Sequence, residues 1–194
     1  MAPGPGTTRR KAVFLDLNGT LVLPIKQERL ADMYAIPGAI SSVARLTRAG
    51  FVCPVVTVQS RIAKGLFTAD EFLDWFRDLG LMLGRDGAVV SRPYVCPHRY
   101  ADPCTCKKPN TVLYEQASAD LGISLADSFV IGDSPDDVRA ATRLGVRSCL
   151  VRTGWAADPA MAAAVAAEAS LVAPSIVEAV DWILSDPTRE ARPR

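Results

Sequence analysis

Short apolar segments, rich in β-branched and aromatic residues, alternate along this chain with segments of helical periodicity. We predict strands over residues 11–16, 51–58, 87–95, 128–133 and 147–154, with a last short strand near the start of LVAPSIVEAVDWIL. The helical segments are AISSVARLTRAG, ADEFLDWFRDLGL, NTVLYEQASADLG, SPDDVRAATRLG and the end of LVAPSIVEAVDWIL. This alternation predicts an α/β fold, a Rossmann-like sandwich of three layers whose mostly parallel sheet is covered on both faces.

Two details qualify this pattern. Residues 17–36 show neither periodicity and are predicted to be loop, and Pro54 is unusual for a central strand because it cannot donate a ladder hydrogen bond. The 194 residues suit one domain, which we place at 11–186, with a disordered arm at 1–10 and a disordered tail at 187–194.

Charge and hydropathy exclude several classes of partner. The formal net charge is +1, so a strongly basic face for nucleic acid is not expected. No apolar run approaches the ~18 residues that a membrane span requires, and no signal-peptide pattern follows the basic residues near the start. We therefore expect a cytoplasmic protein, a monomer, whose partner is a small molecule.

Polar residues fall where predicted strands end. Asp16, Thr57 and Asp133 all lie at carboxyl ends, and ligands of parallel sheets bind beyond those ends. A phosphate ester needs a nucleophile, for which Asp16 is suited, and a magnesium ligand, for which Asp133 is suited. Thr57 offers a hydroxyl to the phosphate oxygens and Lys108 offers a charge. Each residue alone is weak evidence, but the set together predicts phosphoryl chemistry.

Asp137 has two interpretations. Ser134, Pro135 and Asp137 fit a helix start, in which the aspartate completes a capping box. The same carboxylate is a candidate for an indirect role beside the metal, and the two roles are compatible.

A second metal site is predicted from the cysteines. The chain has five cysteines and one histidine, and Cys96, His98, Cys104 and Cys106 fall within eleven residues just before Lys108. Three thiolates and one imidazole complete a tetrahedral zinc shell with no open position, so the zinc would be structural. The alternative is a set of reduced, unconnected cysteines in a loop. Cys53 and Cys149 are predicted to be small core residues.

The segments DLNGT, VVTVQS, KKP and VIGDSPDD resemble the four motifs of the haloacid dehalogenase superfamily of phosphatases. QSRIAKGLFT is similar to a segment of D-glycero-D-manno-heptose 1,7-bisphosphate phosphatases, and so is VRTGW near the end. CPHRYADPCTCKKP resembles the zinc loop that these enzymes share with histidinol-phosphate phosphatases. The resemblance covers roughly residues 12 to 155.

This resemblance implies a minimal cap and specific roles. Asp16 would be the nucleophile, Lys108 the lysine of the third motif and Thr57 the hydroxyl of the second. Magnesium would be held by Asp16, Asp133 and the main-chain carbonyl of Asn18. The stretch Thr57, Val58, Gln59, Ser60 and Arg61 would border the phosphate. Lys107 stands where the family has an arginine near the substrate, and a lysine keeps the charge but loses the bidentate fork.

Asn18 replaces the family's acid–base aspartate, and an amide cannot exchange that proton. We expect binding with weakened turnover, because general acid–base help is worth ~10² to 10⁴ in rate. The substitution has three explanations: an engineered change, a natural loss of hydrolysis, or a substrate whose good leaving group needs no acid.

Val58 and Arg61 stand where the family has asparagine and glycine. Val58 removes an amide from the edge of the phosphate pocket. Arg61 is either a solvated loop residue or an added substrate contact. Three functions remain open: a heptose-phosphate phosphatase of reduced activity, a retired phosphatase that binds a phosphosugar or a partner, and a histidinol-phosphate phosphatase.

Overall fold

The computed structural model describes residues 9–185. The predicted tail and residues 1–8 of the predicted arm lie outside this range. Arg10, which we placed in the arm, has its main-chain N–H 2.8 Å from the carbonyl oxygen of Gly122 and forms a parallel bridge with Ile123.

Six parallel strands form the main sheet. They are β1 (Val13–Leu15), β4 (Val55–Val58), β5 (Pro93–Cys96), β6 (Phe129–Gly132), β7 (Arg147–Val151) and β8 (Leu171–Ala173). The spatial order is β5-β4-β1-β6-β7-β8, and all neighbours pair in parallel. This confirms the predicted α/β fold.

The described residues contain seven α-helices. They are α1 (Ala39–Arg48), α2 (Ser60–Ala63), α3 (Ala69–Gly84), α4 (Val112–Leu121), α5 (Pro135–Leu144), α6 (Pro159–Ala163) and α7 (Ile176–Ser185). No helix in residues 9–185 is both long and apolar enough to cross a bilayer.

Both faces of the sheet are buried, as the apolar strands predicted. Val13 and Leu15 of β1 belong to a core on one face with Leu46 of α1 and Phe76 of α3, whereas Phe14 belongs to the core on the other face. Phe14 packs there edge-on against Tyr114 of α4, with ring centroids 5.4 Å apart. Successive side chains of a strand point to opposite faces, so a continuous apolar run fills both layers.

Several strand boundaries differ from prediction, and the largest shift is that β5 begins at Pro93 rather than at residue 87. Pro54 lies just before β4, where its carbonyl accepts a hydrogen bond from the N–H of Leu15 at 2.9 Å, so the strand uses only the group that proline retains. Residues 17–36, predicted as loop, contain two short antiparallel strands, β2 (Val22–Leu23) and β3 (Tyr34–Ala35).

Candidate active site

A cleft of about 540 Å³ opens at the carboxyl ends of the central strands. Most of the residues singled out from the sequence line it: Asp16, Asn18, Thr57, Val58, Ser60, Arg61, Lys107, Lys108 and Asp133. Gln59 and Asp137 are each 1% exposed and lie behind the lining. The parallel sheet therefore brings together residues that are up to 117 positions apart in the chain.

Lys108 joins two carboxylates inside the cleft. Its ammonium donates to Asp16 Oδ1 over 2.5 Å, to Asp137 Oδ1 over 2.6 Å and to the main-chain oxygen of Val56 over 3.1 Å. Burial alone would lower the pKa of Lys108, but the charges of Asp137 and Asp16 hold this pKa well above its usual value. The lysine is therefore a fixed, charged donor at the floor of the cleft.

Asp16 and Asp133 are two buried carboxyls in the same cleft. Burial raises the pKa of Asp16 to about 6 against the opposing effect of Lys108. Burial, followed by the charge of Asp16, raises the pKa of Asp133 to about 8. Two carboxyls that resist ionisation in one oxygen-lined site fit a divalent cation, whose charge would favour the ionised forms of both.

Two glycines make room for Asp133. An added Cβ would lie 2.2 Å from Asp133 Oδ2 at Gly19, where φ is +90°, and 1.8 Å from the same oxygen at Gly154. The N–H of Trp155 donates to this oxygen over 2.6 Å. The carboxylate is therefore held by close backbone packing, which explains the glycines in NGT and RTGW.

Asp137 caps a helix and also contacts Lys108. It completes the capping box of α5 with Ser134, and its Oδ2 accepts from the Ser134 hydroxyl at 2.6 Å. Its other oxygen accepts from Lys108, so the carboxylate also contacts a residue of the cleft, and its indirect role beside a metal stays a prediction.

Asn18 belongs to a closed ring of three side-chain amides. Its Nδ2 donates to Gln27 Oε1 over 3.3 Å, Gln27 Nε2 donates to Gln59 Oε1 over 3.4 Å, and Gln59 Nε2 donates to Asn18 Oδ1 over 2.8 Å. Gln27 and Gln59 are buried. The ring holds the side chain of residue 18 in one orientation.

The hydroxyl of Thr57 is connected to this ring. Gln59 Nε2 also donates to Thr57 Oγ1 over 3.0 Å. Because the hydroxyl oxygen accepts from an amide, its own hydrogen is available to donate into the cleft. Gln59 is therefore buried behind the candidate phosphate site and contacts its hydroxyl.

The two cations considered as substrate contacts differ in their surroundings. Arg61 is half-buried and lines the cleft, and its Nε donates to the main-chain oxygen of Gln27 over 3.1 Å. Lys107 donates to the main-chain oxygens of Arg99, Tyr100 and Asp102, so its ammonium is mainly used to hold the preceding loop.

The four predicted zinc ligands converge. The ligand atoms of Cys96, His98, Cys104 and Cys106 all lie within 4.8 Å of one another. Cys96 Sγ is 3.8 Å from Cys104 Sγ, and His98 Nδ1 is 3.2 Å from Cys106 Sγ. Zinc–sulfur bonds of about 2.3 Å in a tetrahedron place two sulfurs ~3.8 Å apart, so the cluster fits a zinc ion.

Several cleft residues were not identified from the sequence. Lys26, Lys64, Tyr100, Asp136 and Trp155 also line it. The Lys26 ammonium lies 4.6 Å from the ring centroid of Trp155. Trp155 lies four residues after the end of β7, and its place in VRTGW was the only indication of it in the sequence. No feature of the sequence near Gln27 predicts its contact with Asn18.

The fold and this cleft define a hydrolase of the haloacid dehalogenase class, and the model of the family described as HAD-hydrolase-like matches residues 105–179. Similar proteins narrow the class. The D-glycero-beta-D-manno-heptose-1,7-bisphosphate 7-phosphatase of Haemophilus ducreyi is 34% identical over 90% of this chain and 98% of its own length. The enzyme of the same name from Photorhabdus laumondii is 34% identical over 74% of this chain and 81% of its own.

A solved structure agrees with these relatives. The D,D-heptose 1,7-bisphosphate phosphatase from B. bronchiseptica, in complex with magnesium and phosphate, superposes with a TM-score of 0.77 at 26% identity, covering 90% of this chain and 98% of that one. The chain belongs to the heptose-bisphosphate 7-phosphatase family of haloacid dehalogenase-like phosphatases, and is a phosphoric monoester hydrolase by class.

Proposed function

We propose that this protein is a magnesium-dependent phosphatase of a phosphorylated sugar, of the heptose bisphosphate or heptose phosphate type, with turnover weakened by Asn18. The observation that carries the proposal is the buried contact of Lys108 with Asp16 at the floor of the cleft. The names of the relatives, which specify a heptose bisphosphate, support the substrate class.

Asp16 would attack the phosphorus atom and form an aspartyl-phosphate. Lys108 and the Thr57 hydroxyl would hold the non-bridging oxygens, where negative charge develops. Asp16, Asp133 and the main-chain carbonyl of Asn18 would hold Mg²⁺, which offsets the repulsion between the carboxylate and the phosphate. Asp137 keeps Lys108 oriented for this task.

The remaining contacts would set affinity and specificity. Val58, Ser60 and Arg61 border the cleft, and Arg61 supplies a cation where the substrate enters. In this proposal a structural zinc in the cysteine–histidine cluster fixes the loop that leads into Lys108, and Lys107 holds main-chain oxygens of the same loop. Gln59 acts through Thr57 and Asn18.

The proposal includes the setting of the protein. We place the protein in the cytoplasm, as a monomer that acts on a small phosphate ester and binds no membrane; the net charge of +1 supports the absence of a nucleic-acid partner. Three thiols in one metal cluster also suit a reducing compartment.

A second candidate function is a phosphosugar-binding protein with a retired active site. The amide ring around Asn18 favours it, because that residue has no proton to exchange. The cysteine loop also resembles that of histidinol-phosphate phosphatases, so histidinol phosphate is included among the substrates tested.

The test compares the wild-type chain, Asn18→Asp and Asp16→Asn on heptose bisphosphate, heptose 7-phosphate and histidinol phosphate with Mg²⁺. We expect Asn18→Asp to release phosphate about 10² to 10⁴ times faster than the wild type. Asp16→Asn should be inactive. Calorimetric binding of the sugars, with no turnover by either the wild type or the Asn18→Asp variant, would favour the second candidate. Inertness and absence of binding would overturn both.

A further inference from the structure

The surroundings of Asn18 complement an amide. Its Nδ2 lies 3.3 Å from each of three acceptors, the main-chain oxygen of Pro24, Gln27 Oε1 and Met33 Sδ. Its Oδ1 accepts from Gln59 at 2.8 Å. A carboxylate in the same orientation would place an oxygen against the Pro24 carbonyl, with no hydrogen between them. The nitrogen of Asn18 therefore faces acceptors and its oxygen faces a donor, so these contacts fix the orientation of the amide.

A fixed amide at residue 18 restricts the first step of phosphoryl transfer, in which Asp16 would take the phosphoryl group from its donor. When a sugar phosphate is the donor, the leaving oxygen becomes an alkoxide and needs a proton as the P–O bond breaks. Asn18 cannot supply that proton. A leaving group of low pKa departs as an anion without help, and a carboxylate, with a pKa of about 4, is such a group.

We propose that this site accepts phosphate donors of the acyl phosphate class and then retains the phosphoryl group on Asp16; this inference rests on the proposed role of Asp16 as nucleophile. In the first step an Asp16 oxygen bonds to phosphorus, and the P–O bond to the departing carboxylate breaks. The electron pair of that bond leaves with the carboxylate, so no proton moves.

The second step is the slow one. Water must bond to phosphorus, the bond between phosphorus and the Asp16 oxygen must break, and the water must lose a proton. Residue 18 cannot take that proton, so the aspartyl-phosphate accumulates. The ring keeps Asn18 from rotating away, because Gln27 and Gln59 hold both ends of its amide.

A second carboxyl in the cleft, that of Asp136, is an alternative carrier of the proton in the second step. Asp136 lines the cleft, and its only ion pair within residues 9–185 is with Arg139, at 3.8 Å. If Asp136 carried the proton in place of residue 18, the wild-type chain would turn over rapidly, and Asp136→Asn would abolish that turnover.

The experiment incubates the full chain with Mg²⁺ and acetyl phosphate and follows intact mass and peptide mass over time. We expect most wild-type chains to gain one phosphoryl group, mapped to Asp16, and to lose it slowly after the donor is removed. Asp16→Asn should gain none. Asn18→Asp should release the group about 10² to 10⁴ times faster. Gln116→Glu, a change from amide to carboxylate at an exposed residue of α4, should behave as the wild type.

The failures are distinguishable. If the wild type is never phosphorylated while Asn18→Asp hydrolyses sugar phosphates, the inference falls and the proposed function stands. If the wild type hydrolyses sugar phosphates as fast as Asn18→Asp, the inference also falls. If no form reacts with any donor, both fall.

Discussion

The side-chain amide of Gln59 donates to Asn18 Oδ1 over 2.8 Å, and the same nitrogen donates to Thr57 Oγ1 over 3.0 Å. One buried residue thus orients the side chain of Asn18 and the candidate phosphate hydroxyl together.

We expect Gln59→Leu to weaken both functions of this residue. The change removes the donor of the half-buried Asn18 oxygen and of the buried Thr57 hydroxyl, and the acceptor of the buried Gln27 amide. Each buried group left unsatisfied costs about 1–3 kcal/mol of unfolding free energy. Freed from Gln59, the Thr57 hydroxyl loses its preferred direction, so the affinity for vanadate in the presence of Mg²⁺ should fall. Urea unfolding and vanadate titration measure the two effects. Gln116→Leu, at an exposed glutamine on α4, is the control, and equal vanadate affinity in both variants would contradict the prediction.

Lys108→Met should be strongly destabilising. It leaves the buried carboxylates of Asp16 and Asp137 without their cation, and breaking a buried pair in this way costs about 3–5 kcal/mol. Phosphate binding should be lost as well. Arg77→Met removes one cation from an exposed pair on α3 and should cost at most ~1 kcal/mol. Urea denaturation of the two variants makes the comparison, and similar costs would contradict the buried charge arrangement.

Magnesium should stabilise the protein more at pH 8 than at pH 5. The pKa values of Asp16 and Asp133 in the folded protein, about 6 and about 8, lie above the ordinary value of 3.8. The folded form therefore holds protons that the unfolded chain has released, and without magnesium its stability falls as pH rises from about 4 to about 8. A bound divalent cation reverses this loss by favouring the ionised carboxylates.

Thermal unfolding with and without Mg²⁺ at the two pH values measures the difference. A difference of 1 kcal/mol corresponds to roughly 2–4 °C for a chain of this size. Asp133→Asn should remove most of the magnesium effect. A magnesium increment that does not change with pH would show that these carboxyls are not its ligands.

Elemental analysis should find about one zinc ion per chain, and Cys104→Ser should lower that ratio. Loss of the metal should also weaken phosphate binding, because the loop leads directly into Lys107 and Lys108. Cys149→Ala changes a buried cysteine outside the cluster and should retain zinc. A ratio near zero in the wild type would exclude the four-ligand site.

The sequence predicted the parts of this structure that depend on strand order. Asp16, Thr57 and Asp133 could be placed at one edge because parallel strands present their carboxyl ends together. The cysteine–histidine cluster was predictable from spacing, since its four ligands lie within eleven consecutive residues. Asp137 could be predicted as a cap because capping is local.

The amide ring could not be predicted. It depends on how residues 24–36 fold back over the end of β1, and the contacts of Gln27 with Asn18 and Gln59 have no local signature. The contacts of Lys107 with the carbonyls of its own loop could not be predicted either. The sequence does not distinguish a lysine that binds main-chain oxygens from one that is exposed to solvent.

The central claim is that Asp16 delivers an oxygen to phosphorus beside a magnesium ion. A crystal structure of the chain with Mg²⁺ and vanadate tests it most directly. The account predicts vanadium bonded to an Asp16 oxygen, magnesium contacting Asp16 and Asp133, and vanadate oxygens within hydrogen-bond distance of Lys108 and Thr57. Vanadate bound away from Asp16, with magnesium absent from Asp133, would contradict it.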